Sequence, residues 1–287
     1  MNIRLTITAV ALVTLLVVSI YLCNNRASST VRIGNLVDAW YFGSLGSKQR
    51  QKEFNLIQKK CGNKSFGSYL RLDFSLRNHL GSSTLSNLVE SSDKFWASYD
   101  YANIIQCIHE YHSALRAQMY TFATLHRPEL LVPASYDCVI HFRIGDFLKL
   151  GLLIDPESVV EACVPMLPSY IGIMDGGMTH NTNEKIRRSS LKIKHDLKEM
   201  LKTRLPNAKV EDCTAGDVDS DFFTCANAPM LVTAGGSFAI CAAVASEGQV
   251  RTPACKNINF CNEGSRSIQE IRPGWITFAY SNYEDTS

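Results

Sequence analysis

The chain has almost no net charge to work with: 29 Lys and Arg stand against 27 Asp and Glu, a formal balance of +2. That lack of a positive field excludes phosphate neutralisation along a polyanion as the main binding force, so no nucleic-acid partner is expected and any bound anion must be met locally. No two cysteines have CxxC spacing, which removes the common sulfur-ligated zinc and redox sites. Internal repeats and long low-complexity runs are also missing. None of this points to disorder. With 287 residues, 46% hydrophobic and 20% charged, the composition is globular and suffices for one large domain or two small ones.

A more local absence is found at the start. Leu5 to Cys23 carries no charged residue, between Arg4 and Arg26, and its length is close to the roughly 20 residues that a helix needs to cross hydrocarbon. The rival reading is a cleaved signal peptide, whose apolar core is usually about 7–15 residues and ends in small residues. Here Tyr21, Cys23, Asn24 and Asn25 occupy the positions where small residues would be wanted. The expectation is therefore a signal-anchor over 5–23 after a cytoplasmic tail at 1–4, with a polar, Ser-rich stem at 24–35 and everything from Asn24 in the secretory lumen. The flanking charges differ too little to fix orientation by themselves. Asn63-Lys64-Ser65 is an N-glycosylation sequon that suits a lumenal loop. Of ten cysteines, nine remain once Cys23 is placed in the membrane, so at least one is unpaired. Cys255 and Cys261 are close enough in sequence to pair, while Cys225 and Cys241 fall in apolar helical patterns that suit buried thiols.

Between 36 and 135 the pattern is mixed. Tyr69 to Phe74 reads as a strand, His79 to Ser83 as a turn into a helix, and Ile104, Ile108, Tyr111, Leu115, Met119 and Phe122 as the buried stripe of an amphipathic helix. After Pro133 strands and helices alternate. Strands are expected at Cys138–Phe142, Tyr170–Met174, Ala208–Glu211 and Met230–Ala234, with a long helix between the second and third that turns Ile186, Ile193, Leu197, Met200 or Leu201, and Leu205 inward and its Lys and Arg residues outward. A short helix from about Asp221 and another from Gly236-Ser237 complete the pattern. Such alternation predicts an α/β protein with a parallel sheet covered on both faces, whose ligands sit beyond the carboxyl ends of the strands.

Two strand ends carry chemistry. In His141-Phe142-Arg143-Ile144-Gly145-Asp146 a buried strand runs into a polar cluster, where Arg143 offers a planar fork of donors to a diphosphate and Gly145 permits a close backbone turn. Equally, Arg143 and Asp146 fit a structural ion pair and His141 a satisfied core histidine. A tyrosine-phosphatase loop is excluded because only four residues separate Cys138 from Arg143 where five are needed. At the other end, Ala234-Gly235-Gly236-Ser237 joins a strand to an apolar helix. The free N–H groups and dipole at that helix mouth favour phosphate, although Ser237 also fits an ordinary N-cap. Neither strand end offers an Asp-x-Asp or a histidine cluster. Asp219-Ser220-Asp221 is the nearest exception, and no metal is expected.

Taken together, His141 to Asp146 resembles the HxRxGD-type first motif of the α1,2/α1,6/protein-O-fucosyltransferase superfamily, and Asp221 through Ser237 resembles that group's last motif, in matching order and spacing. The resemblance covers roughly 137–253; Leu80-Gly81-Ser82 faintly resembles the glycine loop of the acceptor-side domain. It implies a GT-B-like fold, two Rossmann-like halves with parallel sheets: an acceptor-side half over 36–135 and a nucleotide-sugar-binding half over 136–287. It further implies fucose transfer from GDP-fucose to a glycan or glycoprotein hydroxyl with inversion, in the Golgi or ER membrane as a single-pass type II protein, with no cofactor beyond the donor. Arg143 would bind the β-phosphate, Gly145, Gly235, Gly236 and Ser237 would shape or contact the diphosphate site, His141 and Asp221 would lie near guanine or pyrophosphate, and Asp146 is the only motif carboxylate available as general base. Ile144 departs from relatives in which a second arginine is frequent. The alternatives are a catalytically silent, membrane-anchored nucleotide-fold protein and a transferase using another nucleotide sugar.

Overall fold

A computed structural model describes residues 33–93, 108–132, 135–175, 183–253, 275–279 and 281–283. The Leu5–Cys23 segment, Ile104, and Cys255 with Cys261 lie outside them; among the described residues no helix is long and apolar enough to cross a membrane. Residues from Ile33 onward form one compact unit.

Six strands, β1 (Cys138–His141), β2 (Tyr170–Met174), β3 (Lys209–Asp212), β4 (Met230–Thr233), β5 (Gln249–Pro253) and β6 (Trp275–Phe278), make a single sheet in the order β3-β2-β1-β4-β5-β6. Every pairing is parallel. Because side chains alternate across a strand, the sheet separates two cores. Val139, Leu231 and Val250 point into one of them, while Cys138, Ile140, Ile171, Ile173, Met230 and Val232 point into the other.

Ten α-helices surround the sheet in the described residues: α1 (Ile33–Leu45), α2 (Lys48–Gln58), α3 (Phe66–Tyr69), α4 (Ser82–Asp93), α5 (Ile108–His126), α6 (Gly145–Lys149), α7 (Pro156–Cys163), α8 (Glu184–Arg204), α9 (Val218–Asn227) and α10 (Ser237–Ala245). The second core is closed by α7 and α8, with Val159, Val160, Ile193, Leu197 and Leu201 buried against the strands. The stripe expected on α8 is found, although Ile186 is only partly covered. One basic residue of α8 departs from the expectation that all face water: Lys194 is half-buried between Asp175 at 2.5 Å and Asp212 at 2.7 Å.

The first core is thicker. α10 is apolar all round, and a helix of that kind must be buried on every side. One side meets the sheet and the other meets α1 and α5, where Leu36, Val37, Trp40, Tyr111, Leu115, Met119 and Phe122 are buried. The N-terminal region therefore forms a third layer stacked on the helices of the sheet. Among the described residues 33–132 there is no strand, so the second Rossmann-like sheet expected over 36–135 is not found there. Residues 33–35, grouped by composition with the stem, already belong to α1.

The strand expected over Tyr69–Phe74 is corrected to the end of α3, an extended stretch, and a 3-10 helix at Phe74–His79. Local capping decides this. The Ser65 hydroxyl accepts from Ser68 N at 3.2 Å and the Asp73 carboxylate from Ser75 N at 3.0 Å, and each starts a helical turn where the apolar alternation alone suggests extended chain.

The join from α10 to β5 has no room for a side chain. A Cβ on Gly248 would lie 2.3 Å from the carbonyl oxygen of Ala228 and 2.4 Å from that of Pro229, whereas one on Gly62 would meet nothing within 4 Å. Gly248→Ala is expected to destabilise the protein by about 2–3 kcal/mol, and Gly62→Ala by less than about 0.5 kcal/mol. Chemical denaturation of both variants checks this; equal, small losses would show that the α10–β5 join relaxes freely.

Candidate functional site

The order β3-β2-β1-β4-β5-β6 reverses direction between β1 and β4, and in doubly wound sheets the crevice at that switch, beyond the carboxyl ends, is where ligands bind. Both chemically suggestive strand ends lie there. Cys138–His141 pairs in register with Met230–Thr233, so the segments that follow, 142–146 and 234–237, start side by side.

They also touch. Arg143 lies against the β4–α10 turn so closely that a Cβ on Gly236 would be 2.7 Å from Arg143 Nη1. Gly235 and Gly236 have φ of +87° and +89°, backbone conformations suited to glycine. The guanidinium stacks over Phe147 at 4.5 Å. It donates from Nε and Nη2 to the two oxygens of Asp146, at 3.0 and 2.5 Å. This side-on pairing leaves Nη1, the nitrogen nearest Gly236, outside the ion pair. Asp146 is thus the anchor of Arg143, with both carboxylate oxygens engaged.

Gly236 is the N-cap of α10 and provides no side-chain cap, so the first-turn N–H groups are not taken up by one. The ordinary N-cap reading of Ser237 is corrected: Ser237 is the first residue inside the helix. Gly145 is buried at the start of the short α6. Ile144 is wholly buried in the second core, which explains why that position is apolar: an arginine there would have its head in hydrocarbon.

His141 is not a satisfied core histidine. It is 1% exposed, both ring nitrogens lack hydrogen-bond partners, and the ring stacks on Phe238 at 4.9 Å. Burial first, and the Arg143 charge second, push it down to about 4. Phe222 packs edge-on against Phe238 at 5.7 Å, which ties α9 to the same wall.

Asp221 belongs to a neighbouring group. α9 is capped not by Asp221 but by Asp217, whose carboxylate accepts from Asp219 N and Ser220 N. Asp221 accepts from Ala215 N at 2.7 Å and is pushed up to about 6, chiefly by burial. Asp175 is buried at the end of β2 and bound to Lys194, which also reaches Asp212. The sequence showed Asp175 only as a strand terminus and gave no sign of Lys194, Phe147 or Phe238. Asn63 is exposed in a turn. Among the described residues no group of three or more His, Cys, Asp or Glu is placed to hold a metal.

Fold and site together define a doubly wound α/β protein in which one arginine and a glycine-built helix mouth, here called the cradle, stand side by side at the topological switch point. Comparison with known protein families, characterised proteins and solved structures gives no match.

The buried histidine sets a pH dependence. Its folded value lies below the roughly 6.5 of an unfolded chain, so the unfolded state takes the proton first. Its contribution is complete above about 6.5 and is lost as pH falls toward 4, up to about 3 kcal/mol. Asp38, pushed up to about 7, and Asp219 and Asp221, each to about 6, act in the opposite direction. A difference measurement isolates the histidine: His141→Phe is expected to gain stability relative to the parent as pH falls from 7 to 4.5. Parallel stability curves for the two proteins would refute the buried neutral imidazole.

Proposed function

We propose that the chain is a nucleotide-sugar-dependent glycosyltransferase of the fucosyltransferase type, with the donor's diphosphate at the β1–β4 switch point. One observation carries the reading: the Arg143 guanidinium lies against the Gly235-Gly236 turn at the mouth of α10, so that a cationic side chain and the uncapped first turn of a helix are neighbours. In the reaction this motif family performs, an acceptor hydroxyl of a glycan or glycoprotein displaces GDP from the anomeric carbon of fucose with inversion. Negative charge grows on the departing diphosphate, and Arg143, the α10 N–H groups and Ser237 are where it would be stabilised.

Asp146 first orients Arg143. When diphosphate takes a share of the guanidinium, the same carboxylate is the motif's candidate to accept the acceptor's proton. His141, buried beneath Arg143, and Asp221, in the neighbouring group, are the residues that the motif assigns to the guanine or pyrophosphate side. The six-stranded parallel sheet with helices on both faces is compatible with a donor-binding half; the helical layer formed by α1 to α5 stands where the acceptor-side half was expected.

A silent nucleotide-fold protein is the second reading, favoured by the complete pairing of Asp146 with Arg143 and by the burial of Ile144. A different nucleotide sugar is the third, and stabilisation by UDP- or CMP-sugars in place of GDP-sugars would identify it.

Two variants test the cradle. Arg143→Ala removes the fork, and Gly236→Ala drives a methyl into Nη1 at a positive-φ position, whereas Gly62→Ala, away from the site, meets nothing within 4 Å. GDP is expected to raise the melting temperature of the parent and of Gly62→Ala. The response should be lost in Arg143→Ala and Gly236→Ala, which correspond to a binding loss of roughly 1.5–3 kcal/mol. Equal GDP stabilisation of all four proteins would remove Arg143 from the site.

Transfer is also expected to persist in EDTA, since the proposed charge neutralisation comes from protein groups. Loss in EDTA with recovery in manganese would overturn that part of the scheme.

A further inference from the structure

The second core contains a feature that the proposed chemistry does not use. Cys138, the first residue of β1, and Cys163, the last of α7, are each 0% exposed, and their sulfurs lie 3.7 Å apart. Every other cysteine in the described residues meets a different partner. Cys225 faces the Met174 sulfur, Cys241 faces Tyr111 and the Gly34 carbonyl, Cys213 packs on Gly172, and Cys61 reaches the Ile57 carbonyl. Cys138 and Cys163 are thiols in this structure. Closing the pair requires the sulfurs to approach from 3.7 Å to about 2.05 Å.

We propose that Cys138 and Cys163 form a disulfide in the mature protein, made during folding before the second core closes. The proposal rests on the reading of Leu5–Cys23 that places the chain in an oxidising lumen. The two thiols lose two protons and two electrons as the S–S bond forms. An oxidised disulfide, of a lumenal dithiol oxidoreductase or of glutathione, accepts them and is cleaved to two thiols. Oxidation must precede closure because the finished core excludes both the oxidant and the reactive thiolate. The cysteines are 25 positions apart, and the loop they close carries Arg143, Asp146 and Phe147. The bond would therefore staple the first strand–helix unit beneath the cradle.

The test uses the full chain made in a secreting cell, trapped with N-ethylmaleimide under denaturing conditions and mapped by mass spectrometry without reduction. A linked Cys138–Cys163 peptide is expected. Reduction is also expected to lower the melting temperature by about 5–10 °C, and to do so far less in the double variant Cys138→Ala/Cys163→Ala. Both cysteines alkylated in chains that carry a glycan at Asn63 would overturn the proposal while leaving the lumenal reading intact. If no glycan is found and both thiols are free, the lumenal reading fails, and the full chain refolded from denaturant in oxidised and reduced glutathione decides the pairing. Free thiols there overturn it, and a linked peptide supports it.

Discussion

The parallel pairing of β1 with β4 constrains everything around it. Each of these strands is hydrogen-bonded on both sides and buried along its whole length, so neither can slide or tilt without breaking two ladders and opening two cores. Register is fixed most firmly where both faces are covered. Because the pair is held in register, the chain segments leaving it emerge together, and Arg143 meets Gly236 as a consequence of sheet geometry. The cradle inherits the rigidity of the most buried part of the fold.

The electrostatics follow from that placement. A guanidinium held at the edge of a buried sheet is anchored by Asp146 and Phe147, and its charge adds to burial in keeping the imidazole beneath it neutral. Arginine offers five donors in one plane, and Asp146 engages the edge made by Nε and Nη2, so the anchor fixes the direction of the group without using the edge nearest the helix mouth. An ion pair that at first suggests a purely structural residue can thus be the means of aiming it.

Much of the sheet was legible because its central strands are short apolar runs ended by glycine or a charge. Cys138–His141, Tyr170–Met174 and Met230–Thr233 are found within a residue of where the composition puts them. The two loops of the cradle were legible for the same reason: each follows such a run directly. β5 and β6 gave little signal, since Gln249, Arg251 and Thr252 interrupt the first. The N-terminal region misled most. Its residues between 69 and 74 alternate like a strand, but the capping groups at Ser65 and Asp73 act over two or three residues and override that pattern. The placement of α1 and α5 on α10 depends on contacts more than a hundred positions apart, among them Tyr111 with Cys241 and Cys241 with the Gly34 carbonyl. No local rule contains these. The meeting of Cys138 with Cys163 is likewise a product of packing α7 onto β1.

The burial of α10 between the sheet and α1 bears on the order in which the protein can be made. A ribosome releases the chain from its amino end, so α1, buried almost throughout in the finished protein, leaves the tunnel long before its partner: the bond between Cys241 and Gly34 spans 207 positions. At roughly 5–20 residues per second, that separation is about ten to forty seconds of synthesis during which α1 lacks α10 and has only nearer neighbours to cover it, such as Tyr111 stacked on Tyr41 at 4.2 Å. The face of α1 that meets α10 is thus covered late, and a folding helper that shields aromatic helices during translation would act on this chain before its sheet exists.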